Sequence, residues 1–231
     1  MTNYVLVAGA WLGGRAWDEV AEELRGGGHT AHPVTLSGLA EKRDAPAGQR
    51  THVRDVVDAV EHAALTDVVL VGHSYAGIPV GQAAALLGDR LAHVVFVDSE
   101  VPADGKAFVA TSWGGSVEAA IAEHGGSWPP PPAEEFGGQD LTDAQIGRLL
   151  DGATPHPGAT LTEPAVLTRP LGELPATYVK CLLDGPEPND AVVELLKSDR
   201  WRLVEMETGH WPMFSQPREL ARILAEVPAP S

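Results

Sequence analysis

The sequence predicts an α/β fold: a mostly parallel sheet with helices on both faces and a small, mainly helical cap. Three observations carry this. Short runs of consecutive apolar, often β-branched residues alternate with stretches of helical spacing. The runs are apolar throughout rather than at every second residue, as in strands covered on both faces. From Val101 to Pro170 the alternation stops, and prolines and glycines such as Pro129 to Pro132, Pro155 and Pro157 take over.

The elements follow in order. Tyr4 to Val7 is a buried strand ending at Gly9. Trp17, Val20, Ala21 and Leu24 recur at helical spacing, and Gly26 to Gly28 stop that helix. Thr30 to Leu36 is a second strand, and Ser37 to Arg50 is loop-like. Val53, Val56, Val57 and Val60 mark one helix face. Asp67 to Gly72 is a third strand, and a helix with small residues (Gly81, Ala83, Ala84, Ala85) follows Ser74. His93 to Asp98 is a fourth strand. After the break, Ala176 to Leu183 and Trp201 to Met206 are strands, with a helix over Ala191 to Lys197 between them. A last helix starts near Pro217, a good first-turn residue, with Leu220, Ile223, Leu224 and Val227 facing in. The expected organisation is a core of residues 1–100 and 171–231 interrupted by a cap over 101–170. Within the cap, Leu141 to Leu150 reads as a short helix.

The 231 residues suffice for one domain with a large core. A formal net charge of −16 opposes binding to nucleic acid or an anionic membrane. The single cysteine, Cys181, rules out an intrachain disulfide. Arg15 and Asp18 follow the first apolar run too soon for a secretory leader, and no run is long enough to cross a bilayer. A cytoplasmic protein is expected. A homodimer is compatible with the sequence, which does not set the oligomeric state.

The sharpest chemical signal is Gly72-His73-Ser74-Tyr75-Ala76-Gly77. A serine stands between small residues at −2 and +2, after a buried strand and before a helix, as a nucleophile elbow requires. The strict pattern has glycine where this chain has Ala76. The helix N-terminus beside such a serine favours a developing anion. A serine needs a base to take its proton. Of nine histidines, His210 stands after the last strand and before the last helix, where a base in the order Ser, acid, His belongs. His73 is read as structural. The third member is a carboxylate at a strand end between Ser74 and His210. Asp184 fits and is preferred; Asp98, with Glu100 behind it, is the competitor. The oxyanion donors are expected at the amides of Tyr75 and Ala10, in the loop after the first strand. Trp11, Trp211, Trp113, Trp128, Phe136 and His156 are candidate walls of an apolar substrate pocket. No histidine pattern implies a metal.

These residues carry a resemblance. Val5-Leu-Val with Gly9-Ala-Trp and Gly13-Gly, Gly28-His29, Gly72-His-Ser74, Phe96-Val-Asp98, Thr162-Glu-Pro164, Tyr178-Val-Lys-Cys181 and Gly209-His210 together resemble the α/β-hydrolase-fold bacterial esterases related to plant methylesterases and hydroxynitrile lyases. The resemblance covers nearly the whole chain and is weakest from Lys106 to Ala153. It implies a Ser74-Asp184-His210 triad, no cofactor and a small ester substrate. One departure stands out: Ala8 occupies the position before the oxyanion glycine, where the family usually has histidine.

Three other readings are weighed. A hydroxynitrile lyase has lysine after its histidine and threonine in its oxyanion loop; this chain has Trp211 and Gly9, which still leaves another lyase or a cyclase open. A dinucleotide-binding reductase would need a glycine where Arg15 stands. A ligand receptor of the same fold is the third.

Overall fold

A computed structural model of the chain describes residues 1–111 and 114–227. Six parallel strands form one sheet: β1 (Asn3–Val7), β2 (Thr30–Val34), β3 (Val68–His73), β4 (Leu91–Val97), β7 (Ala176–Cys181) and β8 (Trp201–Met206), in the order β2-β1-β3-β4-β7-β8. The helices are α1 (Asp18–Gly26), α2 (Gln49–His62), α3 (Gly77–Leu86), α7 (Asp190–Leu195) and α9 (Pro217–Ala225), with a four-residue α8 (Pro212–Ser215) before the last.

Strand pleating divides the core in two. Val5, Val7, Leu70 and Phe96 point to one face and pack with Val56 and Val60 of α2, Val80 and Ala83 of α3 and Val192 of α7. Tyr4, Leu6, Val69, Val71, Val95 and Val97 point to the other, against Val20 and Leu24 of α1 and Leu220 and Leu224 of α9. Every residue of β3 is buried. The apolar runs of the central strands therefore follow from burial on both faces, whereas the edge strand β8 leaves Arg202, Leu203 and Glu205 exposed.

The order of strands also locates the site. The chain leaves β1 for β2 in one direction and runs from β3 to β4, β7 and β8 in the other. The strand ends separate at that reversal, opening a crevice at the carboxyl end of the sheet between the loops after β1 and β3.

Between β4 and β7 lie α4 (Gly114–Glu123), α5 (Asp143–Asp151), a one-turn α6 (Ala159–Thr162) and a two-stranded antiparallel ribbon, β5 (Ser127–Trp128) with β6 (His156–Pro157). The helix expected at Leu141 to Leu150 is α5, which begins with a capping box of Thr142 and Gln145. The ribbon pairs Trp128 with His156. Among the described residues, no helix is long and apolar enough to cross a membrane.

Candidate active site

Each chemical group hangs from the carboxyl end of a strand. Ser74 follows β3 with φ +53°, the left-handed backbone of a sharp turn. The need for small flanking residues is physical: a Cβ on Gly72 would lie 2.9 Å from the carbonyl oxygen of Ala76. The loop after β1 presses on the same turn. A Cβ on Gly9 would stand 2.8 Å from both the Ser74 Cβ and the His73 Nδ1. Ala10 and Tyr75, the expected oxyanion donors, are both buried in these two segments.

His210 lies in the turn between β8 and α8. Its Nε2 is 2.9 Å from Ser74 Oγ. Its Nδ1 faces two carboxylates rather than one: Asp98 Oδ2 at 2.8 Å and Asp184 Oδ2 at 3.3 Å. Both carboxylates offered by the sequence, the preferred Asp184 and its competitor Asp98, reach the ring. Asp184 is present as expected, but it is 37 % exposed, while Asp98, 2 % exposed, makes the shorter contact. Strand register explains it: Val97 pairs with Val179, so the next residues, Asp98 and Lys180, stand side by side. The Lys180 Nζ is 2.6 Å from Asp98 Oδ1, and the Cys181 amide donates to the same oxygen at 3.2 Å.

Electrostatics follow from this packing. Burial alone would lower the pKa of His210. Hydrogen bonds and charge from Asp184 and Asp98 outweigh it and raise the pKa to about 9. Burial opposes ionisation of Asp184, yet the bonds from His210 and neighbours hold its carboxyl well below the usual range. His73 is buried and neutral because of desolvation, then because of the charge of His210. Its Nε2 donates to the His210 carbonyl at 2.6 Å, a structural role as expected.

Three residues that sequence reasoning passed over complete the frame. Gln139, in the segment between β4 and β7, accepts from the His210 amide at 2.6 Å and donates to Asp184 Oδ1 at 3.2 Å. His52 of α2 bridges the Tyr75 hydroxyl and the Ser37 carbonyl. Lys180 is the third. No sequence signal marks Gln139, because its partners lie 45 and 71 positions away.

The expected pocket walls divide. Trp11 and Trp128 meet with ring centroids 4.4 Å apart, and Phe108 continues that surface toward Tyr75. Trp211 is partly exposed beside His210. Two residues are corrected. Phe136 is 1 % exposed and packs on Trp211 in the core of one sheet face, so it has no surface to offer a ligand. His156 is fully buried, and its Nδ1 accepts from the Trp11 amide at 3.2 Å, so it holds the loop after β1. Trp113 lies outside the described residues. A cavity of about 610 Å³ opens alongside, between Leu12, Gly13, Thr154, Met213 and Phe214; neither Ser74 nor His210 lines it.

Asp98, Asp184 and His210 are also the one group among the described residues whose donor atoms converge as metal ligands might, within 4.8 Å of one another. The ammonium of Lys180 already supplies a cation beside Asp98.

A serine on a strand-to-helix turn, a histidine on its hydroxyl and a carboxylate behind that histidine, all at one end of a parallel sheet, define a hydrolase of this architecture. Comparison with known proteins agrees. The profile of the alpha/beta hydrolase family matches residues 4–223, and the chain belongs to that family. It is 31 % identical to a carbendazim-hydrolysing esterase of Nocardioides sp. (strain SG-4G), over 97 % of this chain and 99 % of the relative. Methylesterase 9 of Arabidopsis thaliana is 27 % identical, over 98 % of each chain. A solved extracellular alpha/beta-hydrolase from a Paenibacillus species, described as sharing structural and functional homology with tobacco salicylic acid binding protein 2, has TM-score 0.87 at 23 % identity. It covers 98 % of this chain and 99 % of that one, a likeness of fold.

Proposed function

We propose that the chain is a serine hydrolase that cleaves a small, apolar carboxylic ester through an acyl-enzyme. The observation that carries this is the continuous relay from Ser74 Oγ through the His210 imidazole to the carboxylates of Asp98 and Asp184. The esterase activities of the relatives point the same way.

Ser74 attacks the ester carbonyl while His210 Nε2 takes the hydroxyl proton. The amides of Tyr75 and Ala10 hold the oxyanion, helped by the N-terminal end of α3. His210 returns its proton to the leaving alcohol. It then takes a proton from water, which attacks the acyl carbon, and passes that proton to Ser74 Oγ as the C–O bond to the serine breaks and the acid leaves. The carboxylates hold the ring with Nε2 toward Ser74 and stabilise the imidazolium. No step calls for a cofactor. Trp11, Trp128 and Phe108 supply an apolar wall for the substrate.

The test needs no knowledge of the substrate. Treatment with a fluorophosphonate and measurement of intact mass should give one adduct on wild type and none on Ser74→Ala. Ester hydrolysis by Ser74→Ala should fall by about 10⁴-fold or more. A folded wild type that takes no adduct would overturn acyl transfer in favour of an acid–base lyase or a receptor.

A further inference from the structure

His210 has two carboxylates at Nδ1 where one would fix its ring. Each anion within about 4 Å favours the imidazolium. A histidine locked in that form cannot accept the proton of Ser74. Two uncompensated aspartates would therefore orient the base and disable it together.

Lys180 is placed to resolve this conflict. It is 6 % exposed, a costly site for an ammonium. Its Nζ and the Cys181 amide both spend themselves on Asp98 Oδ1, which leaves Oδ2 to His210. Among the described residues its further polar neighbour is the carbonyl of Asp184, at 3.5 Å.

We infer that Lys180 is the counter-charge of Asp98: it cancels much of that carboxylate's charge at His210, so the pair orients the ring while adding less than a full second negative charge beside Asp184. Lys180 is a positioning residue acting through Asp98. The inference rests on the reading of His210 as general base.

The groups facing His210 from every side fit this division. The end of β3 offers His73, neutral by burial. The loop after β4 brings Asp98 and, further out, Glu100, whose own carboxyl is raised by burial. From β7 and the turn after it come Lys180 and Asp184, and from the segment between β4 and β7 the uncharged Gln139. Lys180 is the one cation in this set. His210 stands raised to about 9, so at pH 7 the free base is a small share of the ring, and each further rise of one unit would cut that share about tenfold.

The test is the His210 titration followed by NMR of ¹³C- and ¹⁵N-labelled histidine, with the resonance assigned by its loss in His210→Gln. Lys180→Gln keeps a donor to Asp98 and removes only the charge. It should move the titration upward by about one pH unit, and slow fluorophosphonate labelling at pH 7 about tenfold. A purely hydrogen-bonding role for Lys180 would leave both unchanged and overturn the inference. The double variant Asp98→Asn/Lys180→Gln buries no unpaired charge and guards against a single variant that fails to fold. Its titration should stay within about half a unit of wild type, because the pair is removed whole. Displacement by a full unit would overturn the balance. Titrations that follow this pattern in a wild type that takes no fluorophosphonate would sink the acyl-transfer reading alone. Normal labelling with an unmoved Lys180→Gln titration would sink the counter-charge alone.

Discussion

Trp11 shows what the segment between β4 and β7 does for the loop after β1. Its backbone is left-handed, φ +68°, a conformation that costs a non-glycine residue of order 1 kcal/mol. Four contacts from the ribbon region keep it there. Its amide donates to His156 Nδ1 at 3.2 Å and its indole to the Trp128 carbonyl at 3.1 Å. Its carbonyl accepts from the Thr154 amide at 2.9 Å and from the Thr154 hydroxyl at 3.3 Å. The resembling family places a histidine at the position of Ala8, inside this loop; here a histidine reaches the loop from β6 instead. His156→Ala is therefore expected to slow fluorophosphonate labelling of Ser74 by about 10- to 100-fold, less than the loss of an oxyanion donor itself. His156→Gln, which keeps an acceptor, should recover most of the rate. Labelling of His156→Ala at the wild-type rate would mean that the loop supports itself. Ser74 and His210 were legible in the sequence because their roles demand fixed places relative to strands. The weight of Asp98 against Asp184, and the work of Gln139 and His156, were not. These depend on register and on contacts between segments distant in the chain, which no local pattern records.

Among the elements, α2 is tied to the segment between β4 and β7. Its apolar stripe of Val53, Val56, Val57 and Val60 predicts both its existence and its buried face. Its start is not predicted, because Gly48 offers no side chain to cap it. The cap comes from Glu163, whose Oε2 accepts from the Gln49 amide at 2.7 Å, 114 residues away. A carboxylate at this end also meets the positive pole of the helix. Gln49 then donates its own side chain to the Thr160 carbonyl, tying α2 to α6. Glu163→Gln should cost about 0.5–1 kcal/mol and Glu163→Ala about 1–2 kcal/mol, read as a lower midpoint in urea with an unchanged slope. No loss for Glu163→Ala would show that α2 is held by its apolar face alone. The same contrast separates the legible elements from the rest. The central strands β1, β3 and β4 are nearly continuous apolar runs, and all six strands of the large sheet lie where the sequence puts them, to within three residues. The ribbon of β5 and β6 has two residues in each strand, too few to show a period.

For the molecule as a whole, charge sets the remaining expectation. Asp and Glu number 32 against 16 Lys and Arg, so two long-range effects compete on the surface. Pairs such as Arg54–Asp58 and Arg222–Glu219 are attractive but lie at the surface, where water and salt weaken them. The excess of negative charge repels itself throughout the folded state, more closely than in an expanded chain. Salt screens both, with a Debye length near 10 Å at 0.1 M. The repulsion acts over longer distances than the close pairs, so it is screened first. The buried set of Asp98, Lys180 and His210 is shielded from salt by its burial. Raising NaCl from about 0.02 to 0.3 M should therefore raise the melting temperature by about 2–6 °C, corresponding to roughly 1–2 kcal/mol for a chain of this size. Calorimetry at pH 7 measures it directly. A melting temperature that falls with salt would mean that the surface pairs outweigh the net repulsion, and that the acidic excess is spread widely enough to cost the fold nothing.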